Sequence, residues 1–425
     1  MRVLVVGGGG REHALCWALS RAAVVFCAPG NPGTATCGTN LPISADRHDA
    51  LIEACRLHHL DLVVVGPEAP LAAGLVDHLA AAGIAAFGPT AAAARIESSK
   101  AFAKSVMTRA GVPMAASRTF TDADEAERYI ARHAEPLVVK ASGLAAGKGV
   151  VVCRTRAEAN QVAAEMLEGK FGAAGREVLV EDFLEGEELS VFVMTDGERF
   201  LLLPPSQDHK RLGEGDTGPN TGGMGAYTPV AIATDALLDT IERTVVRPTL
   251  AGMAAVGAPY RGLLYAGLMI GPEGDPHVLE FNCRFGDPET QAVLPALDDD
   301  LAGHFWSIAR GEAWRPAARR VSPARAAVTT VVAARGYPDA PEQGAAIALP
   351  PALPDDTLLF HAGTAVAADG TLRVAGGRVL CATGLATDVA TAAENSRRLA
   401  DAISFPGRMF RRDIGWREAA RAGAA

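Results

Sequence analysis

The 425-residue chain is long enough for about three domains, and with 49% apolar and 21% charged residues it has the balance of an ordinary soluble globular protein. A net charge of −9 disfavours nucleic acid or an anionic membrane as the main partner, and no uncharged apolar run reaches spanning length. Seven scattered cysteines with no C-x-x-C pair exclude a disulfide framework or a zinc ribbon; with no signal-peptide core after Met1, they give the expectation of a reducing, cytoplasmic setting.

In chain order, residues 2–6 (RVLVV) read as a strand that ends in the glycines 7–10, with a helix over 11–21. Apolar runs at 23–28, 60–65 and 84–87 each stop at a Pro/Gly pair, with helical stretches between them. That alternation predicts an open parallel α/β domain over residues 1–98, in which His58 and His59 read as a helix-surface pair. From 99 to 314 the texture changes to short strands (137–140, 149–153, 178–181, 189–194) around glycine loops. A polar stretch at 206–225 follows, long enough to be a functional loop, then a helix over 235–253 and a strand pair at 262–270 and 277–282. The Arg- and Pro-rich residues 315–323 read as a linker, and 323–425 as a small α+β domain with strands at 326–333, 357–366 and 378–383 and a helix over 388–403.

Only six of the forty basic residues are lysines, and all six lie between Lys100 and Lys210. A compact ammonium on a flexible stem is suited to reaching a phosphate oxygen, and a planar guanidinium does not replace it there. Lys140 ends a strand, and Gly143, Gly147, Lys148 and Gly149 form a glycine loop before the next one. Strand, glycine loop, strand is not a P-loop, which opens a helix; it suits a hairpin flap lying over phosphates. The connector after Glu181 (Phe183, Leu184) can pair through its backbone with a base edge, and Glu188 can accept from ribose hydroxyls. Glu280 and Asn282, at i and i+2 of a strand, share one face and offer two hard oxygen donors to Mg²⁺ or Mn²⁺. The glycines 7–10 open a helix and suit a phosphate or nucleotide-like ligand or a structural tight turn; a dinucleotide site would want a third glycine where Glu12 or His13 stands.

Taken together, Lys100, Lys140, the 143–149 loop, the 181–188 connector and Glu280-Phe281-Asn282 resemble the ATP-grasp superfamily. The motifs at 7–14 (GGGGREHA), 66–71 (GPEAPL), 207–211 (QDHKR), 217–227 (TGPNTGGMGAY), 280–291 (EFNCRFGDPETQ) and 410–416 are similar, more closely, to the glycinamide ribonucleotide synthetase (phosphoribosylamine–glycine ligase) family. The resemblance implies an ATP-grasp fold over 99–314 with a mobile flap at about 115–187, a Rossmann-like domain before it and an α+β domain after it. It implies a ligase of purine biosynthesis that uses ATP to join glycine to 5-phosphoribosylamine through glycyl phosphate, with Mg²⁺ or Mn²⁺. It implies no nucleic-acid or membrane partner, and a monomer or weak homodimer is expected. Catalytic roles are expected for Lys140, Arg284, Asp208 and Lys210, and nucleotide contacts for Lys100, Lys140, Gly147, Lys148, Glu181, Phe183, Leu184 and Glu188. Acceptor-end contacts are expected for Gly8, Gly9, Gly10, Asn220, Thr221 and Asp287, and metal ligation for Glu280 and Asn282. Two departures stand out: Ser142 where the family pattern has Asp, and Gly267 where many ATP-grasp enzymes carry a third metal-binding acid.

Overall fold

The computed structural model describes residues 1–145, 149–312 and 314–424, the side chains of 422–424 excepted. β1 (Arg2–Gly7), β2 (Val24–Pro29), β3 (Thr39–Asn40), β4 (Leu62–Val65) and β5 (Ala85–Phe87) pair in the order β3-β2-β1-β4-β5, each parallel to its neighbour. β1 is central and covered on both faces, so Val3, Leu4, Val5 and Val6 are fully buried. Each such side chain contributes about 1.5–3 kcal/mol on leaving water, which is why a short β-branched run suffices for the sheet's middle. The crevice beyond the carboxyl ends of β1 and β4, where the strand order reverses, is where open α/β sheets take ligands, and α1 (Gly10–Leu19) begins there. The reading of His58 and His59 is corrected: the helix His48–Leu57 ends before them. His59 takes a left-handed φ of 50° as the chain turns back toward β4.

The middle of the chain builds two antiparallel sheets. β6 (Ser117–Phe120), β7 (Leu137–Ala141), β8 (Val150–Cys153) and β9 (Val178–Asp182) pair in the order β6-β9-β7-β8. Phe120, Ile130, Val139, Met166 and Val180 close a core that belongs to this sheet and its helices alone. The second sheet is β11-β10-β16-β17, with β10 (Glu187–Thr195), β11 (Phe200–Leu202), β16 (Gly262–Ile270) and β17 (Pro276–Asn282). Its inner face, with Val191, Leu264 and Phe281, joins a core shared with the N-terminal sheet. The segment that leads into β6 joins this second sheet at its edge, where the Val278 amide donates to the Pro113 carbonyl at 2.8 Å.

A third sheet mixes the middle and the end of the chain. β12 (Gln207–Asp208), β15 (Gly225–Thr228), β18 (Ala326–Ala333), β22 (Arg378–Ala386) and β19 (Thr357–His361) lie in the order β12-β15-β18-β22-β19, backed by the helix Val389–Ala402. The polar stretch expected as a loop is therefore strand, hairpin and strand: β13 (Arg211–Gly213) and β14 (Thr217–Asn220) pair between β12 and β15. Backbone pairing needs no apolar alternation, so the pattern gave no sign of these strands. The expected strand at 357–366 is divided into β19 and β20 (Thr364–Val366) by a turn at Ala362 and Gly363, whose amides bond back to β22; β20 pairs with β21 (Leu372–Val374).

Candidate active site

Lys140, near the end of β7, is buried between the two middle sheets. Its Nζ lies 2.8 Å from Glu181 Oε2 on the adjacent β9 and donates to the Leu279 carbonyl of β17 at 3.1 Å. That carbonyl is free because β17 bulges there: Glu280 pairs with Gly267 and Val278 with Leu268, leaving Leu279 unopposed. The ammonium thus sits one residue from Glu280 and ties the flap sheet to the strand bearing the two oxygen donors. Glu181 takes a second cation, Lys104 Nζ, at 3.1 Å, and Lys104 also donates to the Ala115 carbonyl at 3.3 Å. The Glu181 carboxylate, expected at a nucleotide base, is spent on two lysines. What remains for a base is the backbone and the half-open side chains of the connector, where Phe183 is exposed and Leu184 half-buried. Lys100 enters from the first turn of the helix Lys100–Ala110, its Nζ reaching the Gly143 carbonyl at 3.4 Å. Burial pushes this ammonium below its ordinary value, Glu280 opposes that and Lys140 adds to it. Ser142 serves the structure here: its Oγ accepts from the Ala101 amide at 3.2 Å and its carbonyl from the Lys100 amide at 2.8 Å, pinning the flap to that helix. Gly147 and Lys148 lie outside the described residues.

Glu280 and Asn282 share one face of β17 while Phe281 enters the core. Burial raises the Glu280 carboxyl, but Lys210, Lys100, Lys140 and Arg284 outweigh it and hold it below the usual carboxylate range. Two hard oxygens, one of them firmly ionised, fit Mg²⁺ or Mn²⁺ and not a soft or imidazole-seeking metal. Among the described residues no cluster of three or more His, Cys, Asp or Glu could hold a metal, so the remaining coordination positions would fall to phosphate oxygens and water. Gly267, directly opposite Glu280, keeps that flank open: a Cβ there would lie 3.5 Å from Glu280 Cγ. Arg284 is held from several sides. Its guanidinium lies 3.0 Å from Glu97 and 3.4 Å from Glu68, and donates to Asn282 Oδ1 and to the Phe285 carbonyl, each at 3.1 Å. It therefore orients Asn282, and its own charge is matched by two acids.

On the opposite wall, Asp208 and Lys210 sit two residues apart with His209 between them. Strand alternation turns His209 to the back, where its side chain is fully buried, and leaves Asp208 and Lys210 on the cleft face. Lys210 Nζ pairs with Glu188 of β10. Burial would lower this ammonium, but Asp208, Glu188 and Glu280 outweigh it and raise it well above its ordinary value. Asp208 goes the other way: burial, helped by Glu289 and Glu188 and opposed by Lys210, lifts its carboxyl to about 7. Thr221 lies beside Lys210, its amide and Oγ each donating to the Lys210 carbonyl at 2.8 Å. Asn220, half-buried, ends β14 opposite Arg211.

The glycines 8–10 pack at the start of α1 beside Asp287 and Gln291: a Cβ on Gly9 would lie 3.6 Å from Asp287 Oδ2 and one on Gly10 2.6 Å from Gln291 Nε2. The α1 N-terminus is capped from within: Glu12 accepts from the Gly9 amide at 2.7 Å and from Arg11 Nε at 2.6 Å. A Cβ on Gly66 would come within 2.2 Å of Glu12, so this carboxylate fills the crevice mouth, and a pyrophosphate cannot sit there as in a dinucleotide site. Asn31 Nδ2 ties the Gly8 carbonyl (2.9 Å) to the His361 carbonyl (2.8 Å) of β19. His13 Nδ1 accepts from the His361 amide at 2.8 Å, and burial, aided by His361, pushes the His13 imidazole down to about 3. Asp287 is bonded by Gln291 Nε2 at 2.8 Å and lies 3.4 Å from Arg378 of β22. Burial raises the Asp287 carboxyl, yet Arg378 and Arg11 hold it below its usual range. The buried Gln291 Oε1 has no hydrogen-bond partner, an acceptor awaiting a donor. Lys104, Asn31, Gln291 and Arg378 escaped the sequence reading. Gln291 and Glu68 lie inside recognisable motifs and could have been found there; Arg378 follows a pair of glycines with no pattern around it.

Three stretches of the chain match three domains of one family: residues 1–97 the phosphoribosylglycinamide synthetase N domain, 98–290 its ATP-grasp (A) domain and 327–417 its C domain. A phosphoribosylamine–glycine ligase of Rhizobium meliloti is 45% identical, over 99% of this chain and 99% of that one. A trifunctional purine biosynthetic protein of Gallus gallus is 48% identical over 98% of this chain and 42% of its own length. The crystal structure of a phosphoribosylamine–glycine ligase from Thermotoga maritima superposes with a TM-score of 0.85 at 35% identity, covering 97% of this chain and 100% of that one. The biotin carboxylase domain of a Hydrogenobacter thermophilus 2-oxoglutarate carboxylase shares the fold, with a TM-score of 0.72 at 17% identity over 96% and 91% of the two chains.

Proposed function

This chain belongs to the phosphoribosylglycinamide synthetase family, and from that premise we propose which of its groups carry each step of the reaction. It is an ATP-dependent ligase of purine biosynthesis that joins glycine to 5-phosphoribosylamine, giving glycinamide ribonucleotide, ADP and phosphate. Glycine's carboxylate is first phosphorylated, because a carboxylate repels an amine and offers no leaving group. Phosphoryl transfer needs positioning and charge neutralisation more than covalent help. Lys140 and Lys100 neutralise the phosphates from the flap side, and Gly147 and Lys148 are assigned to the same nucleotide. Glu181 orients Lys140, and the backbone from Glu181 to Leu184, with Phe183, receives the adenine. Glu188 receives the ribose and exchanges Lys210 for its hydroxyls. Glu280 and Asn282, braced by Arg284, would hold a Mg²⁺ or Mn²⁺ ion, which when bound supplies further neutralisation of the transferring phosphoryl group.

At the acceptor end, Asp208 is the group suited to take the proton that the attacking amine releases, since its carboxyl titrates at about 7. Lys210 beside it faces the developing charge on the acyl phosphate. Gly8, Gly9, Gly10, Asn220, Thr221 and Asp287 line the end that takes phosphoribosylamine, where Gln291 Oε1 stands ready to accept from an N–H or O–H. No nucleophile and base pair touch each other in the cleft among the described residues, and the reaction proceeds without a covalent enzyme intermediate. We keep the domain division at 1–98, 99–314 and 323–425 with a flap at about 115–187, noting that β12 and β15 of the middle domain complete the sheet of the C-terminal one. A cytoplasmic setting and a monomer or weak homodimer complete the reading.

The observation that carries this assignment is the Lys140 ammonium on the Leu279 carbonyl, one residue from Glu280, buried between two sheets. The test is phosphate release from ATP with each substrate withheld in turn. Release requires glycine and freshly generated phosphoribosylamine together; release that needed bicarbonate instead would overturn the assignment.

A further inference from the structure

The wall that carries Asp208 and Lys210 is held from behind by a segment near the end of the chain. Arg411, 1% exposed at its side chain, donates from Nε and from one terminal nitrogen to Asp413 at 2.8 Å each, forming a bidentate brace. Its other terminal nitrogen reaches Asp216 Oδ1 at 2.8 Å and the Arg211 carbonyl, one residue after Lys210, at 3.0 Å. Asp413 Oδ2 in turn accepts from the Gly215 amide at 2.8 Å, and the Arg412 amide donates to Glu214 at 3.0 Å. Arg417 pairs with Asp216 as well. His209, the residue between Asp208 and Lys210, accepts from the Gly415 amide through Nε2 at 3.0 Å, which places its proton on Nδ1, 3.7 Å from Asp216. Burial, helped by Arg411 and Arg417, keeps that imidazole neutral despite Asp216. The clasp therefore grips the β12–β13 segment on its back face at 209, 211 and 214–216, while the two reactive side chains project from its front.

We propose that Arg411 is a positioning residue for the ligation step: through Asp216 and the Arg211 carbonyl it fixes the strand that presents Asp208 and Lys210 to the glycyl phosphate. Phosphates, base and metal are assigned to β7, β9 and β17, which the clasp does not touch; of the nucleotide contacts only the ribose carboxylate, Glu188 of β10, meets the clasped segment, through Lys210. Loosening it misaligns the second half-reaction and touches ATP binding only through the Glu188 contact, so the acyl phosphate is made and lost to water. This inference rests on the residue roles proposed above. Its test is the ratio of phosphate released to glycinamide ribonucleotide formed, measured beside the affinity for a non-hydrolysable ATP analogue and the melting temperature. Wild type gives a ratio of one; a wild type that formed no product would overturn the ligase reading itself and not the clasp.

In Arg411→Met we expect analogue affinity within about twofold of wild type, a fall of about tenfold or more in product turnover, and a ratio well above one. Arg411→Lys, which keeps the charge and loses the fork, falls between the two. Asp216→Asn keeps the shape and removes the charge Arg411 holds, and it carries the test alone if Arg411→Met does not fold. A ratio that stays at one in the folded variants overturns the proposal, as does a loss of analogue affinity in step with turnover.

Discussion

At the nucleotide end of the cleft the charged groups stand on neighbouring elements: Lys140 and Glu181 on paired strands, with Lys100 and Lys104 on one helix beside them. At the acceptor end the polar and charged groups arrive from across the chain. Asn31 meets His361, Asp287 meets Arg378, and Arg411 meets Arg211 and Asp216. The first end is a compact block of charge that a small sheet with its own core can carry as a unit. The second exists only once the N-terminal sheet, the polar stretch and the C-terminal sheet are docked. On the roles proposed above, substitutions at the two ends should fail differently, the first in binding of ATP and the second in transfer to the amine.

The largest expected effect is at the metal face. Glu280→Gln keeps the shape of β17 and removes its ionised oxygen, so metal-dependent turnover falls about a thousandfold, a loss of order 4 kcal/mol in transition-state stabilisation. Steady-state rates across a Mg²⁺ titration check this, and intact turnover at ordinary Mg²⁺ would refute the assignment. Next is Glu181→Gln, which leaves two buried ammonium groups without their shared anion. Loss of such a partner costs about 3–5 kcal/mol, and denaturant unfolding should show it together with weakened analogue binding. A variant as stable as wild type would mean that Lys104 and Lys140 have other support.

The acceptor end gives a smaller and pH-dependent effect. Because the Asp208 carboxyl is raised to about 7, its unprotonated form grows as pH rises through that value, and the ligation rate rises with it. Asp208→Asn should flatten that limb and lower turnover by about 10²-fold, while leaving analogue affinity alone. A profile whose inflection near neutrality survives the substitution would assign the proton to another group. The smallest effect concerns Lys104: with Lys140 still on Glu181, Lys104→Met should weaken analogue binding only severalfold, as read by titration. A loss as large as that of Lys140→Met would promote it to a direct phosphate ligand.

The same contrast marks what was legible. Lys140, Glu280 and Asn282 could be picked out because strand alternation, a glycine loop and an i, i+2 pair are local patterns. Lys104 was missed although it lies four residues from Lys100, since a lysine on a helix looks the same whether it faces solvent or a buried carboxylate. The strands within 206–225 were missed because they are held by backbone pairing and ion pairs, which leave no apolar rhythm. Arg411 sat in the recognisable motif at 410–416, but no pattern says that a guanidinium is fully buried.

By itself the sequence determined the parallel sheet at the start, β7 to β10 with β16 and β17 of the two middle sheets, though not β6 or β11, and the residue types at Lys140, Glu280 and Asn282. Those depend on hydrophobic periodicity and on side-chain chemistry at fixed spacing, both carried within a short local window. Tertiary structure alone decided which carboxylate answers which cation: Glu181 to Lys104 and Lys140, Glu97 to Arg284, Asp216 to Arg411. Burial makes an unpaired charge too costly to keep, so the pairing follows from which elements dock, and docking is a property of the whole chain.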